Sequence, residues 1–105
     1  MIDTMVAVST CSSREEARKI ATALVGDRLA ACVNVIPGIE SCYRWEGKVN
    51  WDTEFLLVIK TTAAAVDQVR WRLIKEHSYD TPEFIAFKIE HGSHPYLEWI
   101  ADSVM

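Results

Sequence analysis

Apolar positions along this chain switch their spacing several times, and each switch marks an element. Met5 to Thr10 is a short apolar run containing Val6 and Val8, closed by Cys11-Ser12-Ser13, which predicts a buried strand. Ser13 with Glu16 three positions later resembles a capping box, and Ala17, Ile20, Ala21, Leu24 and Val25 follow at helical spacing. Gly26 supplies the stop, so residues 13–26 are predicted to be a helix. Ala31 to Trp45 reads as one long strand with a bulge or kink at Pro37-Gly38. Glu46-Gly47 turns the chain, and on the return Val49, Trp51, Phe55, Leu57 and Ile59 alternate with Asn50, Asp52 and Glu54. A hairpin results.

Thr62 is positioned to cap a second helix with Val66, Val69, Leu73, Ile74 and His77 on its apolar face. That helix ends in His77-Ser78-Tyr79-Asp80-Thr81-Pro82, because a residue before proline disfavours helix. Glu83 to Ile89 forms a fourth strand. Gly92-Ser93 precedes a short last helix with Pro95 in its first turn and Leu97, Trp99 and Ile100 as contacts. The order βαββαβ plus a terminal helix is the ferredoxin-like α+β plan, here expected as a single domain over 1–105. Right-handed crossovers give the strand order 4-1-3-2. Tracing the directions brings Cys11, His77, Tyr79 and Glu83 to one edge of the sheet.

The hairpin changes the picture further. A domain of 105 residues is about 33 Å across, whereas each hairpin arm extends to about 46 Å before coiling shortens it. The arms should overhang the body and carry Tyr43, Trp45 and Trp51 on exposed strands, which need a cover. Another copy of the chain is the economical cover, so a homo-oligomer is predicted.

Composition removes several function classes. Fifteen acidic and eleven basic residues leave a formal charge of −4. The richest basic stretch, Arg14 to Arg28, interleaves its cations with Glu15, Glu16 and Asp27, so no basic footprint for nucleic acid exists. Glu54 to Lys60 also lacks the aromatic and glycine pattern of an RNA-binding third strand. No apolar run approaches the ~20 residues of a membrane span, and no basic start of a signal peptide is present. Cys11, Cys32 and Cys42 are odd in number and widely spaced, which fits a reducing cytoplasm better than a disulfide framework. GxSxG, P-loop, HExxH and Rossmann glycine patterns are absent, so no enzyme activity is expected.

Six ordered motifs point further: Cys11 before a helix, Leu29-Ala30-Ala31-Cys32-Val33-Asn34, Ile36-Pro37-Gly38, Tyr43-x-Trp45-Glu46-Gly47-Lys48, Lys60-Thr61, and Tyr79-x-Thr81-Pro82-Glu83. From about Val6 to Trp99 the chain resembles the CutA family, the divalent-cation tolerance proteins. The resemblance implies a homotrimer paired through the long hairpins and a link to copper and other divalent cations.

Cys11, where a strand feeds a helix N-terminus, suits either soft-metal binding or small-residue packing. The resemblance matches it to a position linked to copper. His77, at the end of the second helix, either caps the last carbonyls or joins Cys11 as a ligand. Where the family pattern can carry adjacent histidines, Glu76-His77 stands here; a carboxylate is the harder ligand and weakens preference for Cu(I). The expected metal set is Cys11, His77 and Glu76, with weak direct binding of copper or another divalent cation.

His91 and His94 have HxxH spacing, but Gly92-Ser93 makes this a turn, and a metal role is not favoured. Cys32 reads as core, and Cys42 lies on the hairpin face opposite Tyr43 and Trp45. Tyr43, Trp45, Lys60, Tyr79, Pro82 and Glu83 match the family's cleft between subunits, either as interface bonds or as a ligand site. The second functional reading is therefore a small-molecule or anion-sensing module that uses those clefts.

Overall fold

The computed structural model describes residues 2–105; Met1, the first residue of the expected domain, lies outside them. The elements are β1 (Thr4–Cys11), α1 (Arg14–Gly26), β2 (Cys32–Trp45), β3 (Lys48–Thr62), α2 (Val66–Glu76), β4 (Ile85–Lys88) and α3 (His94–Ser103). They build the ferredoxin-like plan, with one antiparallel sheet in the order β2-β3-β1-β4.

Alternation divides the sheet into two faces. Ala7, Ser9 and Cys11 of β1 and Leu57, Ile59 and Thr61 of β3 are fully buried. Ala7, Cys11, Leu57 and Ile59 pack with Ala17, Ile20 and Leu24 of α1 and Val69 and Leu73 of α2. The opposite face carries Val6, Val8, Leu56 and Val58, with Ile85 and Phe87 of β4 more than half exposed. This second face is an apolar surface without a helical cover. Smaller packing, around Ala31, Ala65, Ile100 and Val104, holds α3 to the body.

Pro37-Gly38 forms the predicted bulge: pairing steps from Ile36–Leu56 to Ile39–Glu54, and Gly38 takes a φ of 77°. The bulge faces the place where β1 ends, at the Cys11–Phe55 pair. Beyond it β2 and β3 continue alone as a ribbon of roughly 23 Å. The long axis of the molecule, 45 Å against 25 and 22 Å, records this projection. Glu46 and Gly47 both have positive φ, as a two-residue hairpin turn matched to strand twist requires. Trp51 pairs with Cys42 and so lies on the face opposite Tyr43 and Trp45.

Several expected boundaries shift. Thr62 closes β3, and its hydroxyl accepts from the Ala65 N–H at 3.3 Å, so it caps a turn and α2 starts at Val66. Ile74 is 48% exposed, because the α2 stripe facing the sheet is Val69 and Leu73. Strand β4 is confined to Ile85–Lys88, the stretch that finds partners on β1. Cys32 is only half-buried, since its register partner Lys60 sits on the face without helices. Trp99 is likewise largely exposed, leaving Leu97 and Ile100 to anchor α3.

Candidate functional site

At the edge where β1 ends, three segments converge. Cys11 is the last residue of β1, Glu16 lies in the first turn of α1, and His77 caps the C-terminus of α2. One donor atom from each lies within 4.8 Å of the others. Cys11 and the His77 side chain are fully buried, and the Glu16 side chain is 15% exposed.

The contacts of His77 define its protonation pattern. Nε2 lies 2.7 Å from the Thr10 carbonyl oxygen, which only accepts, so Nε2 carries a proton. Nδ1 accepts from the Tyr79 N–H at 3.1 Å in the neutral ring and stands 3.3 Å from Glu16 Oε1. The Tyr79 ring packs on the imidazole at 4.7 Å between centroids. Cys11 Sγ is 3.7 Å from Nε2. Burial first, then the charges of Glu16 and Glu54, push the Cys11 thiol up to about 12. The thiol is therefore protonated at neutral pH.

Glu76 does not join this group. It turns to the helix surface, where Lys19 at 3.4 Å and Arg72 at 3.3 Å hold its carboxyl below the usual range, the Arg72 hydrogen bond foremost. Glu16 supplies the carboxylate instead. The capping-box reading masked it: Ser13 Oγ accepts from the Glu16 N–H at 3.1 Å, but the Glu16 carboxylate turns to His77 and the Ser78 N–H. The usable sequence signal was Glu16's place in the helical turn directly after Cys11. Of the other histidines, His91 is exposed and His94 pairs on the surface with Glu98 at 2.7 Å.

Tyr79 is also a wall of a second feature. A cavity of about 550 Å³ opens along the ribbon from its root, lined in part by Tyr43, Trp45, Glu54, Tyr79, Asp80 and Glu83. Glu54 is only 7% exposed and accepts from the Tyr79 hydroxyl at 2.7 Å. Burial and the neighbouring Glu54 carboxylate raise the Tyr79 phenol well above its ordinary range. Tyr43 donates to Asp52, which raises its phenol too. The chain thus gathers Tyr43, Trp45, Tyr79 and Glu83, with Pro82 in the bordering loop between two lining residues.

Lys60 stands apart. It bonds Asn34 and lies on the same strand face as Glu54, but roughly 20 Å along β3. Among the described residues of one chain no Lys or Arg lines the cavity, and the cleft in which Lys60 was expected to meet these residues is one between subunits.

With this geometry in place, comparison with known proteins is specific. The model of the CutA1 divalent ion tolerance protein family matches residues 5–103. The chain is 46% identical over 98 residues to the divalent-cation tolerance protein CutA of Thermus thermophilus, covering 93% of this chain and 95% of that protein. It is 45% identical over 102 residues to the chloroplastic CutA protein of Arabidopsis thaliana, covering 97% of this chain but 56% of the longer plant protein. The crystal structure of CutA from Xylella fastidiosa superposes with a TM-score of 0.96 at 41% identity, covering 98% of this chain and 99% of that one. The chain belongs to the CutA1 divalent ion tolerance family.

Proposed function

We propose that this chain acts in the response to divalent cations, as a homotrimer that binds copper or a related ion weakly and directly at Cys11, Glu16 and His77. The convergence of a thiol, a carboxylate and an imidazole within 4.8 Å carries this reading. The relatives named for divalent-cation tolerance support it. One soft, one intermediate and one hard donor fit a divalent ion better than Cu(I). A bound ion would supply positive charge among three groups that otherwise satisfy themselves. To ligate, Cys11 must give up its proton and His77 must release either the Thr10 carbonyl or the Tyr79 amide, which makes binding weak and proton-linked.

A binding role rather than catalysis is favoured by the same facts. A fully buried thiol pushed up to about 12 is a poor nucleophile. The trimer is supported by the apolar sheet face of Val6, Val8, Ile85 and Phe87 and by the exposed Trp45, Val49 and Trp51 of the ribbon. Among the described residues no helix is long and apolar enough to cross a membrane, and three free cysteines suit a reducing cytoplasm.

A copper titration of reduced protein against a competing chelator tests the reading, beside Cys11→Ser and His77→Ala. Saturable equimolar binding, accompanied by proton release and lost in both variants, is expected. Binding that is absent or indifferent to both substitutions overturns it. Sedimentation should give three times the 11.9 kDa chain mass, and a monomeric mass contradicts the assembly.

A further inference from the structure

Two acceptor atoms of the Cys11–Glu16–His77 cluster also hold the chain that leaves it. After α2 ends, the backbone turns through Ser78 and Tyr79. The Ser78 N–H donates to Glu16 Oε1 at 3.4 Å, and the Tyr79 N–H donates to His77 Nδ1 at 3.1 Å. Both acceptors belong to side chains that offer a donor atom to an ion. Tyr79 also lays its ring on the His77 imidazole and sends its hydroxyl to Glu54 at 2.7 Å. Glu54 stands at the ribbon root, in the first β2–β3 pair beyond the bulge, with Ile39. Tyr79 thus joins the cluster to the ribbon by bonds made within one chain.

The chemistry of the imidazole decides what becomes of that join. A neutral ring has one donor nitrogen and one acceptor nitrogen. Here Nε2 donates to the Thr10 carbonyl and Nδ1 accepts from Tyr79. If His77 ligates through Nδ1, the lone pair is taken and the Tyr79 N–H loses its acceptor. If it ligates through Nε2, the ring proton must sit on Nδ1, which then meets the Tyr79 N–H as donor against donor. Either nitrogen gives the same result. We infer that Tyr79 is a positioning residue coupling the cluster to the ribbon root. Ligation at His77 releases the Tyr79 backbone and loosens its hydroxyl from Glu54, and the Tyr79–Glu54 bond reciprocally opposes ligation. The coupling presupposes an ion at Cys11, Glu16 and His77, and its test separates the two.

Zinc calorimetry on the intact, reduced, assembled protein gives the affinity. Residue-resolved amide hydrogen exchange by NMR, with and without saturating zinc, gives the backbone response. The Tyr79 amide should exchange about tenfold faster or more with zinc bound, because its acceptor is gone. Tyr79→Phe keeps the ring and removes the bond to Glu54; it should bind zinc about fivefold more tightly, the worth of one ordinary hydrogen bond. Tyr96→Phe on α3 should bind as the parent does. A tyrosine with a structural role alone would lower stability without raising affinity. Zinc binding that is absent, or unchanged in both Cys11→Ser and His77→Ala, overturns the metal reading and the coupling with it. Saturable binding at the cluster overturns the coupling alone if Tyr79 amide exchange is unchanged or slowed, or if Tyr79→Phe binds no more tightly than the parent.

Discussion

The two sides of the Tyr79 ring could hardly differ more, although they share one edge of the sheet. On one side His77 is fully buried with both ring nitrogens engaged by backbone groups, and Cys11 is a protonated thiol beneath it. On the other side Glu54, Asp80 and Glu83 line a cavity to which, among the described residues of one chain, no Lys or Arg contributes. The first cluster is complete without a ligand, so any ion must displace protons and hydrogen bonds to enter. Within one chain, the second has charge to spare. Groups that look alike as candidate ligands in sequence thus differ in what binding would cost them.

Removing a group from each side should separate them sharply. His77→Ala leaves the Thr10 carbonyl and the Tyr79 N–H without their partner and opens space in the core edge, so a loss of ~3 kcal/mol is expected in urea unfolding. Glu54→Gln removes a buried charge that has no ion-pair partner among the described residues of its own chain, keeps an acceptor for the Tyr79 hydroxyl, and should leave the stability of the chain unchanged or raised. Equal losses in the two variants would erase the distinction.

Alkaline titration sharpens it next. The folded state holds the Cys11 proton to about 12, whereas an unfolded thiol releases it near 9. Between those values the native state binds the extra proton, so stability falls as pH rises, by about 1.4 kcal/mol per pH unit from this group. Cys11→Ser should remove that slope relative to the parent, measured by denaturation under reducing conditions. Identical slopes would place the thiol in a wetter setting than its burial indicates. A smaller effect concerns Glu16: Ser13→Ala removes the cap of the turn that carries it and should cost ~1 kcal/mol of stability while weakening metal binding.

How far these regions were legible in sequence follows the same division. Strand order, the Pro37-Gly38 bulge, the Glu46-Gly47 turn and the meeting of Cys11 with His77 follow from periodicity, turn chemistry and crossover handedness. Those rules act on the backbone and are local. Which carboxylate joins the cluster is a matter of side-chain direction. Glu76 neighbours His77 in sequence, yet the end of α2 turns it toward Lys19 and Arg72, while Glu16 comes across from another helix. Lys60 was expected with Tyr79 and Glu83 in a cleft between subunits; within one chain, strand rise puts it far along β3 from the cavity. The burial of Glu54 was invisible because its alternation with Phe55 and Leu57 reads as a solvent-facing position, and only the chain returning through Tyr79 covers it.

The most direct test of the central claim is a cobalt(II) titration of reduced protein, followed by thiolate-to-metal charge-transfer absorbance, across Cys11→Ser, Glu16→Gln and Glu76→Gln. The account predicts a saturable band that vanishes without Cys11, weakens without the Glu16 carboxylate and is unaffected by Glu76→Gln. A band that survives Cys11→Ser, or one that depends on Glu76 and not on Glu16, would contradict it.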